Sequence, residues 1–239
     1  MRRWMLGLAL AGALAAPAWA GPPFVTDDPQ PTDTGHWEIY NFGAGVGTPG
    51  DVAGEGGLDL NYGAAKDLQL TAVLPASFDN NRFGSGVIEL AAKYKLLHQA
   101  DGSWLPDVAI FPRVFLDTGS SFDGTTPGVF LPVWAEKDFG PWSLFGGGGF
   151  QIATRASDRD FWQTGLALQR TLGKRASLGV ELIHQTPTSP DGADFTAVNV
   201  GATYKLSDHW TLMASGGPGL QNARTEGQYL FYAALEATY

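Results

Sequence analysis

The last twelve residues of the chain, 228–239, read QYLFYAALEATY and alternate between two kinds of side chain. Tyr229, Phe231, Leu235 and Tyr239 fall on one face together with small alanines, whereas the other face becomes more polar towards its end. Side chains of a β-strand point alternately to its two sides, so the stretch predicts a strand with one apolar surface. The pattern favours a barrel strand with lipid on one side and a lumen on the other, over the last strand of a soluble β-sandwich.

Residues 1–20 have the layout of a secretory signal peptide. Arg2 and Arg3 precede an apolar run over residues 4–16, and residues 18–20 supply the A-x-A pattern of a cleavage site. The apolar run is too short for a comfortable membrane-spanning helix, and no later run of about eighteen apolar residues predicts one. We expect cleavage after Ala20. An export signal together with a barrel-like last strand indicates the envelope of a Gram-negative bacterium.

The charge of the chain argues against one class of partner. The first twenty residues hold two of the 15 Lys and Arg residues and none of the 24 Asp and Glu residues, which leaves 13 basic against 24 acidic side chains and a formal charge of −11. Nucleic-acid binding requires a basic surface, so we expect no nucleic-acid partner. The sequence contains no cysteine, which excludes disulfides and thiolate chemistry.

Residues 36–239 predict about twelve β-strands. Their expected bounds are 36–46, 55–62, 68–77, 86–96, 105–116, 128–136, 142–154, 161–172, 177–185, 195–206, 210–217 and 228–239. In lipid every backbone amide needs a partner within the protein, so alternating strands predict a closed barrel. Longer connections near residues 48, 79, 117, 155, 186 and 220 alternate with mostly shorter ones. The sequence therefore predicts an all-β transmembrane antiparallel barrel with both termini in the periplasm.

Residues 21–35 contain four prolines and the adjacent pair Asp27 and Asp28, which forbid a regular element. We expect an extended periplasmic lead-in between the signal peptide at 1–20 and the barrel at 36–239. The two aspartates suit either a cation site or Asx turns, and the sequence leaves their role open.

The more polar face of the strands must point into the barrel. The inward candidates combine both charges with aromatic rings and are Asp59, Glu89, Lys93, Lys95, Phe111, Arg113, Phe115, Glu181, Lys205 and Glu236. We expect these charges to pair across the lumen, with Glu89 and Arg113 at nearly the same height and Arg113 beside Phe111 and Phe115. Such a lining predicts a narrow or gated path, with a plugged barrel as the alternative.

No constellation in the sequence predicts catalysis, a metal or a cofactor. The four histidines, His36, His98, His184 and His209, are scattered and show no metal-ligand spacing. Only His184 is expected near the outer end of a strand, where an interfacial polar residue explains it. The glycines at 146–149 indicate a bend or a close backbone approach rather than a phosphate loop, because no helix follows them.

The segment PFVTDDPQPTDTGHWEIY, residues 23–40, resembles the opening of outer-membrane proteins of the MetA-pathway phenol-degradation family, which are often called transporters. The matching positions are Phe24, Thr26, Asp27, Asp28, Pro29, Gly35, His36, Trp37 and Glu38. The resemblance extends in length and general pattern over nearly the whole mature chain. It implies uptake of hydrophobic compounds, or a general uptake role, without naming a substrate.

The closing strand is similar to the terminal strand of bacterial outer-membrane barrels, which implies that Phe231, Leu235 and Tyr239 serve as a signal to the assembly machinery. The partners expected are therefore outer-membrane lipid, that machinery and an unknown small permeant. We expect a porin-like passive channel or uptake protein for small, aromatic or hydrophobic molecules. The alternatives are a structural or adhesion barrel without conduction and, more remotely, a barrel enzyme.

Overall fold

The computed structural model describes residues 23–80, 82–100, 102–119 and 126–239. Within these ranges the chain forms one antiparallel β-sheet, and pairing of its first and last strands closes the sheet into a barrel. The strands are β1 (Trp37–Thr48), β2 (Asp51–Ala65), β3 (Leu68–Asp79), β4 (Arg82–Ser85), β5 (Ile88–Leu97), β6 (Asp107–Ile110), β7 (Arg113–Leu116), β8 (Gly128–Phe139), β9 (Trp142–Ala153), β10 (Phe161–Leu172), β11 (Ala176–Gln185), β12 (Phe195–Lys205), β13 (Trp210–Gln221) and β14 (Tyr229–Thr238).

Two of the barrel crossings are interrupted, so the fourteen described strands make twelve crossings. Both β4 and β5 pair with β3, and both β6 and β7 pair with β5. The second interruption falls at Phe111 and Pro112, where proline has no N–H to donate to the ladder. The prediction of a twelve-stranded antiparallel barrel is confirmed. The single strand predicted over 105–116 is in two pieces.

The exterior of the barrel is apolar in the way that the alternation predicted. Large hydrophobic side chains of nearly every strand are exposed there, among them Leu58, Leu70, Leu74, Leu90, Val114, Leu131, Val133, Leu166, Leu168, Leu178, Val180, Leu182, Val200, Leu212 and Leu235. The buried polar residues instead include Glu89, Lys93, Glu181 and Glu236. An apolar outer band around a polar interior is the arrangement of a barrel surrounded by lipid.

The two ends of the barrel differ in their connections. We call the end with the turns at 66–67, 140–141 and 173–175 the turn end, and the end with the connections at 117–127, 154–160, 186–194 and 222–228 the loop end. The predicted girdle of Tyr62, Tyr94, Trp142, Tyr204, Trp210 and Tyr239 lies at the turn end, and all but the half-buried Tyr62 are exposed. Trp37 packs on Tyr62 there, with ring centroids 4.7 Å apart.

Three of the predicted connections differ in length. The long loop expected at 48–54 is a tight turn, because Pro49 and Gly50, whose φ is +87°, let β2 begin already at Asp51. The connection expected over 79–85 is mostly strand, since β4 starts at Arg82. The connection of residues 98–106, expected to be short, is the longest at the turn end.

Residues 23–35 contain no regular strand, as predicted, but they do not lie outside the barrel. They run through the lumen, where side chains such as Asp27 and Gln30 and the amides of Thr26 and Thr32 contact the inner wall. We call this stretch the plug segment. The expectation of a periplasmic lead-in at 21–35 is thus wrong for its described part, because the lumen supplies polar partners that a segment rich in proline cannot find within itself.

Candidate functional site: the plug segment and the cavity above it

The plug segment enters the lumen at the turn end beside β2 and β3. Gly35 donates its N–H to the carbonyl of Gly63 at 2.7 Å, and Thr34 forms an isolated bridge with the same residue. Further in, the N–H of Thr32 donates to Oε1 of Gln69 at 2.8 Å. The Gln69 amide donates in turn to Oδ1 of Asn61 at 2.6 Å, so the entry point is held by a buried polar network.

Asp27 of the plug segment pairs with two cations of the wall. Its carboxylate lies 3.0 Å from Nζ of Lys93 and 2.7 Å from a terminal nitrogen of Arg113. The Arg113 guanidinium lies over the ring of Phe111, 4.2 Å from its centroid, and its Nε is 3.7 Å from Glu89. Among the residues that the structure describes, this Nε has no hydrogen-bond partner. The predicted pairing of Arg113 with Glu89 and Phe111 is confirmed, but the sequence did not predict the carboxylate of Asp27.

Gln30 joins three charged residues on β5, β6 and β8. Its amide nitrogen donates to Asp107 at 2.9 Å and to Glu136 at 2.8 Å, while its Oε1 accepts from Nζ of Lys95 at 2.5 Å. Lys95 also pairs with Asp107 at 3.0 Å. One neutral side chain therefore satisfies a donor and two acceptors of the wall at once.

The far end of the plug segment crosses to β9–β13. The N–H of Thr26 donates to Oε1 of Glu181 at 2.5 Å, and Nδ2 of Asn199 donates to the other carboxylate oxygen at 2.7 Å. Glu181 is fully buried, and such a carboxylate needs both contacts. Phe24 lies against Gly179 and Gly201, where any side chain on these glycines would meet the ring.

Asp28 lies in the plug segment and is enclosed by the wall. Its Oδ1 accepts the N–H of Gln30 at 2.7 Å, and the ammonium of Lys93 is 3.9 Å away. Burial raises the pKa of Asp28 to about 7, and the neighbouring Asp27 raises it further, although Lys93 and the Gln30 N–H act in the opposite direction. This carboxyl therefore titrates near neutral pH while the plug segment is docked.

A cavity of about 830 Å³ occupies the lumen between the plug segment and the loop end. Phe24 and Asp27 of the plug segment border it, and Thr188 and Glu226 border it near the loops. Its wall carries many aromatic rings, namely Tyr40, Phe42, Phe111, Phe115, Phe130, Phe161, Phe195 and Tyr232. Such a volume is in the range of small-molecule sites in proteins.

The structure places the remaining predicted site residues in several surroundings. Asp59 and Phe115 line the cavity, and Glu236 is buried beside the hydroxyl of Tyr40 at 3.3 Å. Lys205 lies at the turn end and pairs with Asp208 at 3.5 Å. The residues predicted as the assembly signal are exposed on the exterior: Phe231, Leu235 and Tyr239.

Sequence reasoning missed Gln30, Glu38, Asp107 and Glu136, which contact the plug segment or line the cavity. Glu38 and Glu136 lie in phase with neighbouring inward residues, so the strand alternation could have found them. Nothing in the sequence pattern marks Gln30.

The histidines do not come together. Nδ1 of His184 is 2.9 Å from the hydroxyl of Thr196, His98 lies 3.2 Å from Asp67, and His209 stacks on Tyr239. Across the described ranges, no three His, Cys, Asp or Glu residues are placed to hold a metal ion. Likewise, no helix in these ranges is long and apolar enough to span a membrane.

Comparison with known proteins supports the fold. No family model matches the chain, and no curated protein matches its sequence. Among solved structures, an outer membrane channel from Pseudomonas putida F1 is similar, with a TM-score of 0.68 and 15% identity over 89% of this chain and 98% of that one. A structure from a study of the in-meso crystallization of membrane proteins has a TM-score of 0.50 and 10% identity, covering 85% of this chain and 82% of that one.

At these identities the similarity shows the fold alone. The chain has the fold of the outer-membrane β-barrel proteins, with a plugged, aromatic-lined lumen.

Proposed function

We propose that this protein is an outer-membrane channel for passive uptake of small, aromatic or hydrophobic molecules, and that the plug segment gates it. The observation that carries the proposal is the aromatic-lined cavity of about 830 Å³ that ends at the plug segment. A lumen that served only structure would be filled by side chains of the wall. Here a separate, strandless piece of chain occupies part of it.

The bonding of the plug segment suits a gate. From Pro23 to Gln30 its polar contacts with the wall all involve a side chain, such as the Asp27–Arg113 pair and the bond from Thr26 to Glu181. Individual hydrogen bonds of this kind contribute about 1 kcal/mol and those to charged groups about 1.5–3 kcal/mol. The segment can therefore leave its place without breaking the β-ladder, which no barrel strand can do.

The orientation and location follow from the same proposal. The barrel begins at Trp37 and ends at Thr238, both at the turn end, which we assign to the periplasm. The residues that resemble the MetA-pathway phenol-degradation family include Phe24, Thr26 and Asp27, which contact the wall inside the lumen. That resemblance supports a role of the plug segment in the uptake of hydrophobic compounds.

A reversible cross-link tests the gate. The chain has no cysteine, and a Cβ on Gly165 would lie 3.1 Å from Cβ of Thr26, slightly closer than the usual separation of about 3.8 Å in a disulfide. We expect Thr26→Cys/Gly165→Cys protein in proteoliposomes to be impermeable when oxidised and to admit small uncharged solutes in a swelling assay when reduced. The single Thr26→Cys variant is the control for effects of oxidant and reductant.

The result also separates the alternative function. A barrel that serves as structure or in adhesion would show no solute flux in the reduced double variant or in wild type, although both fold and insert. Equal solute flux before and after reduction would instead support the channel function but show that the plug segment does not gate it.

A further inference from the structure

The charges around the cavity are strongly unequal. Nine of the residues that line it are acidic and two are basic. The acidic ones are Asp27, Asp28, Glu38, Asp51, Glu55, Asp59, Asp79, Glu89 and Glu226, and the basic ones are Lys93 and Arg113. A cleft lined by one sign of charge concentrates solutes of the opposite sign.

Both basic residues are already neutralised. Lys93 and Arg113 contact the same carboxylate, that of Asp27, at 3.0 and 2.7 Å. Lys93 also has Asp28 at 3.9 Å, and Arg113 has Glu89 at 3.7 Å. An anionic solute would therefore have to displace a carboxylate that is part of the chain itself.

The acidic residues on the β1–β2 wall are in the opposite situation. Glu38 and Asp59 face the cavity, and in the described part of the chain the side chains that hydrogen-bond to them are neutral. They are Thr32 and the Tyr40 hydroxyl, at 3.2 Å, for Glu38 and the Asn61 amide, at 2.8 Å, for Asp59. The same Tyr40 hydroxyl lies 3.3 Å from Glu236. A hydroxyl donates one hydrogen, so it cannot satisfy both glutamates.

A second feature points to a ligand that donates hydrogen bonds. Asn199 lines the cavity and is only 2% exposed, and its Oδ1 has no hydrogen-bond partner among the described residues. Its Nδ2 donates to Glu181 at 2.7 Å, which leaves the buried Oδ1 as an acceptor without a described partner. A buried acceptor of this kind requires a donor.

Aromatic rings stand next to these acceptors. Phe42 and Tyr232 lie on neighbouring strands with nearly parallel rings, 6.4 Å between centroids, directly above Tyr40 and Asp59 in the strand register. Phe115 and Phe130 lie across the barrel. Aromatic faces beside carboxylates are the surroundings in which proteins bind organic ammonium groups.

We infer that the cavity selects organic ammonium compounds, small amines with an aromatic or alkyl body, whose cationic N–H groups bind at Glu38 and Asp59 and whose body packs on Phe42 and Tyr232. This inference rests on the proposed channel function and names its solute class. Aromatic carboxylates, which the wall position of Arg113 suggests at first sight, are disfavoured because Asp27 occupies that cation.

Three probes with the same phenyl body test the inference on purified protein in detergent by isothermal titration calorimetry: 2-phenylethylammonium, 2-phenylethanol and 3-phenylpropionate. We expect the ammonium compound to bind at least tenfold more tightly than the alcohol and the carboxylate to bind most weakly. In the variant Glu38→Gln/Asp59→Asn, which keeps side-chain size, the preference for the ammonium compound should fall at least tenfold. Asp208→Asn, which removes a charge at the turn end, is the matched control.

The two proposals fail separately. Equal binding of the three probes, or an unchanged preference in the double variant, would overturn the cation inference. Flux of 2-phenylethanol through the reduced cysteine variant, measured independently, would still support the channel. If instead the ammonium compound binds as expected while no solute crosses the membrane, the site stands and the channel function falls.

Discussion

Asp27 is the side chain that, in the proposed gate, holds the plug segment in the lumen. It brings together Lys93 of β5 and Arg113 of β7, the two cations that border the cavity. Removing one member of a buried ion pair is costly because the partner charges stay behind without compensation. Among the described residues, one further carboxylate lies within 4 Å of each cation: Asp28 at 3.9 Å from Lys93 and Glu89 at 3.7 Å from Arg113.

Asp27→Asn should therefore weaken docking of the plug segment by about 2 kcal/mol. This is less than the roughly 3–5 kcal/mol for breaking a fully buried ion pair, because the Asp27 carboxylate is partly exposed. A weakening of about 2 kcal/mol corresponds to roughly a thirtyfold shift towards the released state. The measurement is the rate of proteoliposome swelling, or the open fraction in single-channel recordings. Asp33→Asn, an exposed position of the same segment, should behave as wild type. An unchanged open fraction in Asp27→Asn would show that other contacts hold the segment.

Asp28 should make the gate sensitive to pH. The pKa of Asp28 is about 7 in the docked segment, against 3.8 for an ordinary aspartate. Between pH 3.8 and about pH 7 the docked state therefore holds a proton that the released state has lost. Docking is then most favourable below about pH 4, weakens as the pH rises towards 7, and changes no further above that. The charged groups that act on the same carboxyl are Asp27 of the plug segment, Lys93 of β5 and Glu136 of β8.

We expect solute flux of wild type to increase from pH 5 to pH 8, and the Asp28→Asn variant to lose a substantial part of this increase while its flux stays low. The amide keeps the oxygen that accepts the Gln30 N–H. Comparing the two proteins isolates Asp28 from the other carboxyls. If Asp28→Asn had the same pH profile as wild type, carboxyl groups of the barrel wall would be the cause of the pH-dependent flux.

At the scale of elements, the strands and the plug segment differ in how far the sequence predicts them. Each strand can be predicted from its own residues, because lipid on one side and the lumen on the other impose an alternation of apolar and polar side chains within that strand. The expected bounds of β10 agree with the structure at both ends, and those of β11 and β12 differ by one residue. The ladder is interrupted at Pro112, but inward and outward side chains keep the same phase from Ile110 to Arg113 and Val114. The alternation in the sequence therefore did not reveal that this strand is in two pieces.

The path of the plug segment could not be predicted in the same way. Its partners lie far along the chain, as with Thr26 and Glu181 or Gln30 and Glu136, and no periodicity links them. The prolines correctly excluded a strand over this segment, but they did not indicate where the segment lies relative to the barrel. The structure places Asp59, Glu89 and Phe115 at the cavity and buries Glu181 and Glu236. The pairing of the charges differs from the expected one, because the plug segment, which has no periodic pattern, supplies partners for Lys93, Lys95 and Arg113.

The register of β3 offers a sharp test of the two faces. Leu74 is 48% exposed on the exterior near the middle of the strand, while its neighbour Val73 lines the cavity between Asp59 and Glu89 in the register. Leu74→Lys should destabilise the barrel by roughly 2–4 kcal/mol in a bilayer. Val73→Lys should cost much less, because the carboxylates on both sides can accept its charge. Urea unfolding in liposomes measures both, and equal losses would contradict the assigned register.

At the scale of the whole molecule, closure depends on the two chain ends of the barrel. The first and last strands pair over ten residue pairs from Glu38–Thr238 to Gly47–Tyr229. Beyond them, the N–H of Trp37 donates to the carbonyl of Tyr239 at 2.8 Å, and the N–H of Tyr239 donates to the carbonyl of Trp37 at 3.0 Å. Tyr239 therefore ends the seam and also belongs to the exposed aromatic girdle.

Replacing Tyr239 with Asp should reduce the amount of folded barrel in the outer membrane severalfold. The main-chain bonds to Trp37 can persist, so the loss would arise from the ring, which we assign as the signal to the assembly machinery together with Phe231 and Leu235. The ring also stacks on His209, with centroids 5.6 Å apart. His209→Ala removes that stacking and the 2.8 Å contact of Nδ1 with the carbonyl of Thr238 but keeps the Tyr239 ring, so it is the matched control. Heat-modifiable mobility on gels of purified outer membranes measures folded protein. Equal reduction in Tyr239→Asp and His209→Ala would assign the effect to the contacts of His209 at the seam. A normal amount of folded Tyr239→Asp protein would show that the terminal aromatic residue is not an assembly signal.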